Sequence, residues 1–369
     1  MLDEKLVTYM QSRLKRYKNF IDDEFIKSIL WNEDYSLEGL DIELRQKIEV
    51  GNIKRIVFTG MGCSAIVSDV IKAFFINENI SIQIDVVNGY DYQYLIDTAS
   101  IKDNSTLIII SSYSGFSKEP VLFYEKIRDL NKNIVFLTSG GKLEEMAHEE
   151  NVSLIKWELR NPDREYPLFH VPQYFSILLR IFHELKILPS DYYNELETTA
   201  KYLETQQTQI RDWGKKTAKI LQDSEIVLLA TPKWHLALLK LALMHLNEMS
   251  MVSAHRNYFH EFCHSEIAIF SHPNSKKSVL LVRGSGEDDY SLKKMDNLVS
   301  LIQNEVNEHI EIVELSVKRS NFFFEFFEML LMINELAFNL GKELDTPSRE
   351  LISQAAENPW YNQETIQSE

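Results

Sequence analysis

Two loops carry the residue types that bind an anion. One reads Gly60-Met-Gly62-Cys63-Ser64. About fifty residues later the other reads Ser111-Ser112-Tyr-Ser114-Gly115-Phe116-Ser117. Glycine lets the backbone approach a charged oxygen. A helix N-terminus presents N–H groups and a favourable dipole. Serine hydroxyls add donors without adding charge. Gly-x-Gly alone is weak, because many α/β turns need glycine for geometry only. A Ser-x-Ser-Gly loop at the next strand makes the pair a phosphate cradle, with Gly62, Cys63, Ser64, Ser112, Ser114 and Ser117 as its expected contacts.

Such loops work only where strands end and helices begin. Ile56-Val57-Phe58 and Leu107-Ile108-Ile109-Ile110 are short, β-branched and non-alternating, which suits buried parallel strands. Strands are expected at 55–59, 82–87, 106–111, 133–138 and 152–156, and helices at 64–76, 117–129 and 141–150. This alternation predicts a parallel sheet, with ligands beyond the carboxyl ends of its strands. Arg160-Asn-Pro-Asp-Arg164 breaks the pattern before an apolar helix over about 172–188. The grammar then repeats: strands at 225–230, 278–282 and 309–315, and helices over 235–249 and 321–340. Where the first half has Gly60-Met-Gly62, the second has Ala230-Thr-Pro232, so only the first keeps a recognisable phosphate loop. Trp31-Asn-Glu-Asp-Tyr35 reads as a turn.

The loops resemble those of the sugar isomerase (SIS) domain family, usually Gly-x-Gly-x-Ser and Ser-x-Ser-Gly-x-Thr-x-Glu. Ser117 stands where threonine is common and keeps the hydroxyl. Phe116 stands where asparagine is common. Gly140-Gly141-Lys142-Leu143, with Met146-Ala147, is similar to the family's third loop and helix. Within the family the chain looks most like the bifunctional phosphoglucose/phosphomannose isomerases, over roughly residues 50–350. The resemblance implies an α/β fold of two flavodoxin-like α-β-α sandwich domains with parallel sheets. The expected division is an N-terminal helical arm (1–50), a first SIS domain (51–190), a linker helix (191–222), a second SIS domain (223–345) and a C-terminal tail (346–369).

The same resemblance implies aldose–ketose isomerisation, interconverting glucose 6-phosphate or mannose 6-phosphate with fructose 6-phosphate through an enediol. That reaction needs a base over C1 and C2 and a group that opens the sugar ring. Asn247-Glu248 and the later Glu261-Phe-Cys-His264-Ser-Glu266 look like the family's Asn-Glu helix end and its Glu-x-x-His-Asn-Glu element. Carried across, Glu248 is the proton-transfer base and His264 the ring-opening residue. In the family that histidine comes from the neighbouring subunit, which implies a homodimer with a shared site. Arg164 matches the arginine that precedes the apolar helix, with Arg160 second. Each has a plainer reading: a solvated helix-end glutamate, a hydrogen-bonded structural histidine, an arginine paired with Asp163 or Glu165. His255 and His260 are rival histidines, and Glu261 and Glu266 rival carboxylates. The family's C-terminal lysine has no counterpart, since Lys342 precedes the Asp345-Thr346-Pro347 turn. Phe116, Ser265 and the missing lysine favour a divergent enzyme on another phosphosugar, a lyase or biosynthetic isomerase. A non-catalytic phosphosugar sensor is the other alternative.

Composition bounds the rest. The 369 residues fit two domains, and a net charge of −16 opposes nonspecific nucleic-acid binding. No apolar run approaches a membrane span, and the N-terminus lacks a signal-peptide core. Cys63 and Cys263 make a disulfide scaffold unexpected, and no zinc-ligand spacing is visible. A cytoplasmic protein with no metal or organic cofactor is expected.

Overall fold

The computed structural model describes residues 13–88, 91–161, 167–272, 276–304, 310–319 and 321–346. The chain forms two compact units, one of residues 28–197 and one that joins the start of the chain, up to Lys27, to everything from Thr198 onward.

The first unit is built on a six-stranded sheet. Its strands are β1 (Tyr35–Ser36), β2 (Arg55–Gly60), β3 (Gln83–Asn88), β4 (Thr106–Ser111), β5 (Ile134–Thr138) and β6 (Ser153–Trp157), in the order β1-β6-β5-β4-β2-β3. All neighbours are parallel except β1 against β6. Every residue of β4 is buried, as its unbroken apolar run requires. The helices are α1 (Ile42–Glu49), α2 (Gly62–Asn77), α3 (Lys118–Ile127), α4 (Gly141–Glu150) and α5 (Val171–Glu184). One sheet face packs Val57, Ile108, Ile110 and Phe136 against Phe123 and Ile127 of α3 and Leu143 and Met146 of α4. On α2 and α5, Phe75 and Phe182 meet edge to face at 5.7 Å. The helix α6 (Tyr193–Leu221) follows.

The second unit is built on a four-stranded, all-parallel sheet. Its strands are β7 (Glu225–Ala230), β8 (Ala254–Tyr258), β9 (Lys277–Arg283) and β10 (Glu311–Ser316), in the order β10-β9-β7-β8. A continuous helix over 232–250 follows β7. Its α-type turns alternate with two π-type segments, His235–Leu239 and Leu246–Ser250. It packs beside α8 (Phe322–Glu343). On the other sheet face, Phe259, Phe262 and Phe270 pack with Met295, Leu298 and Ile302 of α7 (Asp289–Asn304).

The parallel α/β sheets stand as expected, with three additions. Residues 31–35, read as a turn, run into the antiparallel strand β1 at Tyr35. β8 reads Ala-His-Arg-Asn-Tyr, an edge strand of mostly half-buried residues, so it has no apolar run to betray it. The polar 289–304 segment folds as α7 by burying only one stripe: Ser291, Met295, Leu298 and Ile302. The expected C-terminal tail lies outside the described residues from Pro347 onward.

Candidate active site

The strand order of the first sheet reverses between β2 and β4, and a crevice opens at the carboxyl ends of strands where that happens. Both predicted loops lie there. α2 begins at Gly62, α3 at Lys118 and α4 at Gly141, and their caps, Met61, Ser117 and Gly140, make no side-chain cap hydrogen bond. By contrast, Asp41 caps α1 by accepting from the Glu43 and Leu44 N–H groups at 3.0 and 2.9 Å.

The serine loop is held tightly. The Ser112 hydroxyl, which is buried, donates to Ser117 Oγ at 3.1 Å. Ser64 Oγ accepts from the Tyr113 N–H at 3.4 Å, joining the two loops across the crevice. The Tyr113 carbonyl accepts from the Ser139 N–H (2.9 Å), Ser139 Oγ (2.7 Å) and Thr138 Oγ1 (3.2 Å). A Cβ placed on Gly115 would lie 1.8 Å from the Gly140 carbonyl oxygen, so only glycine fits. Ser114 is exposed, and its Oγ accepts from the Phe116 N–H at 3.3 Å. The Phe116 ring is 70% exposed. The structure thus brings Gly62, Cys63, Ser64, Ser112, Ser114 and Ser117 to one sheet edge.

Glu248 sits in the π-type segment that ends the 232–250 helix, and Met251 terminates it in the left-handed region at φ 53°. Burial pushes the Glu248 carboxyl up to about 7, against the opposing pull of the Arg13 charge. Arg13 was not foreseen. It is buried, and its guanidinium donates to the Glu248 carbonyl and, at 2.8 Å, to the Met249 carbonyl, satisfying carbonyls that a helix end leaves open. Nearby, Tyr17 Oη and His245 Nδ1 lie 3.0 Å apart. Ser250 Oγ donates to the Ala337 carbonyl at 2.8 Å and Thr346 Oγ1 to the Ser250 carbonyl at 2.9 Å. Nothing in the spacing of the sequence marks Arg13, 235 positions from Glu248.

His264 is exposed, and its N–H donates to the Glu261 carbonyl at 3.0 Å. It follows β8, whereas Glu248 precedes it, so the five residues of that strand, about 16 Å, separate the turns that carry them. The elements that carry them also cover opposite sheet faces: Glu248 lies on the helix beside α8, His264 after Phe262 on the α7 side. One copy of the unit does not bring the two together. Of the rivals, His255 pairs with Glu225 at 3.1 Å, His260 Nε2 lies 2.9 Å from Ser291 Oγ, and Glu266 accepts from Asn257. Arg164 lies outside the described residues. Arg160 pairs with Asp34 at 2.6 Å, a structural role.

The second sheet has the same reversal, between β7 and β9, but side chains close it. Thr231 Oγ1 donates to Glu287 Oε1 at 2.8 Å. Glu325, from the first turn of α8, accepts from the Ser285 N–H and lies 3.5 Å from Lys233 Nζ.

No family model matches the chain. It is 30% identical over 166 residues to the bifunctional phosphoglucose/phosphomannose isomerase of Caldicellulosiruptor bescii, a match covering 45% of this chain and 44% of that protein. The protein of the same name from Aquifex aeolicus is 26% identical over 242 residues, 65% of this chain and 70% of its own. The chain thus spans less than half the length of the first relative. The solved tagatose-6-phosphate ketose/aldose isomerase of Escherichia coli matches with a TM-score of 0.62 at 14% identity, covering 92% of this chain and 94% of that one, a likeness of fold. Over part of its length the chain is similar in sequence to bifunctional phosphoglucose/phosphomannose isomerases, and its α/β fold is like that of a solved tagatose-6-phosphate ketose/aldose isomerase.

Proposed function

We propose that the protein is a phosphosugar isomerase that interconverts a 6-phosphorylated aldohexose, glucose or mannose, with fructose 6-phosphate through an enediol. The observation that carries this reading is the crevice between β2 and β4, where two serine loops and three helix starts without side-chain caps converge. Ser64, Ser112, Ser114 and Ser117, with the backbone at Gly62 and Cys63, hold the phosphate. Glu248 moves the proton between C1 and C2. A base titrating near 7 is ionised in part at neutral pH yet basic enough to take a carbon-bound proton. His264 opens the ring, and Arg164 stabilises the enediolate charge. The separation of Glu248 and His264 supports a homodimer in which a second copy supplies His264.

The exposed Phe116 ring favours one variation, a different phosphosugar accommodated beside the serine loop. NMR in deuterated water tests the reading. Deuterium should enter C1 or C2 of glucose, mannose or fructose 6-phosphate. Binding without exchange in any phosphosugar would instead support a sensor.

A further inference from the structure

The crevice of the second sheet contains the parts of an anion site. The Gly284-Ser285-Gly286 loop follows β9, just as the serine loop follows β4 in the first sheet. The Ser285 N–H points at the Glu325 carboxylate, and Lys233 Nζ approaches it to 3.5 Å. The Lys233 ammonium also lies 4.6 Å from the centre of the Trp234 ring. Trp234 is 0% exposed, and its indole Nε1–H has no hydrogen-bond partner among the described residues. That donor abuts the loop so closely that a Cβ on Gly284 would lie 2.0 Å from it. Glu325 itself is 1% exposed. A carboxylate so deeply buried persists only where donors and a counter-charge meet it.

We propose that this crevice is a second anion-binding site, specific for small carboxylates and oxyanions, which the chain fills with its own Glu325 side chain. Lys233 supplies the charge and the Ser285 N–H a donor, while the Trp234 Nε1–H stands as a spare donor beside Gly284. The Glu287 carboxyl, bonded to Thr231, stands at its rim and disfavours multiply charged anions. The proposal is independent of the reaction assigned to the first crevice.

Removing the resident carboxylate should leave a vacancy that an external one refills. The full-length Glu325→Ala variant is melted in sodium formate and, at matched ionic strength, in sodium chloride. Formate should raise its Tm saturably, by about 2–4 °C. The wild type should show no formate-specific rise, because its site is full, and Lys233→Met in the same background should abolish the effect. A Glu325→Ala protein indifferent to formate, or a response that survives Lys233→Met, would overturn the proposal. If Glu325→Ala is recovered unfolded, refolding yield in formate against chloride decides. A formate-dependent yield supports the site, and an equal yield removes it.

Discussion

The two sheets solve the same topological problem in opposite ways. Each reverses its strand order once, and each therefore opens a crevice at its carboxyl edge. In the first unit glycine and serine line that crevice, and Thr138 and Ser139 brace the serine loop by donating to the Tyr113 carbonyl. In the second, Glu287 and Glu325 occupy it. The proposed chemical group of the second unit, Glu248, sits at the far end of a helix, preceding β8. The roles proposed above assign recognition to one half and proton transfer to the other. What separates them is a few side chains at strand ends rather than the fold.

The largest expected effect tests that division directly. Glu248→Gln keeps the size and removes the basicity. Isomerisation should fall by about 10²-fold or more, while calorimetry finds phosphosugar affinity little changed. Turnover equal to wild type would remove Glu248 as the base and turn attention to Glu261 and Glu266.

Ser114→Ala should do the reverse. Losing a hydrogen bond to a charged group costs about 1.5–3 kcal/mol, so affinity should weaken roughly 10- to 100-fold in calorimetry. Unchanged affinity would take the loop out of the site. The matching change in the second unit, Ser285→Ala, should leave phosphosugar affinity within about twofold, since a lost hydrogen bond matters only where the ligand makes it.

A smaller effect concerns pH. Because Glu248 must be ionised to act and titrates near 7, kcat should fall on the acid side of about pH 7. The Arg13 charge lowers that value, so Arg13→Met should move the acid limb to higher pH. A pH–rate profile that shifts downward or not at all would assign Arg13 to packing alone.

The parts legible in the sequence are those decided locally. Buried parallel strands such as Thr106–Ser111 announce themselves as unbroken β-branched runs. The serine loops announce themselves by composition and by their place after such strands. β8 was not legible, because an edge strand is only half covered and tolerates His255, Arg256 and Asn257. Arg13 was not legible either, because it meets Glu248 through tertiary folding across 235 positions. Glu325 left a faint signal: a lone acid in Phe322-Phe-Phe-Glu-Phe-Phe, a stretch otherwise apolar enough to demand burial. A buried charge needs a partner, but only the fold says which one.

The contact between Gly115 and the Gly140 carbonyl has a thermodynamic consequence. The β4 and β5 loops touch too closely to move separately, and the Tyr113 carbonyl accepts three hydrogen bonds before any ligand arrives. The ordering entropy of this loop is therefore spent during folding rather than at association. The phosphate proposed to bind there would meet a rigid seat, so its capture would resemble docking onto a preformed template more than the closing of a hand.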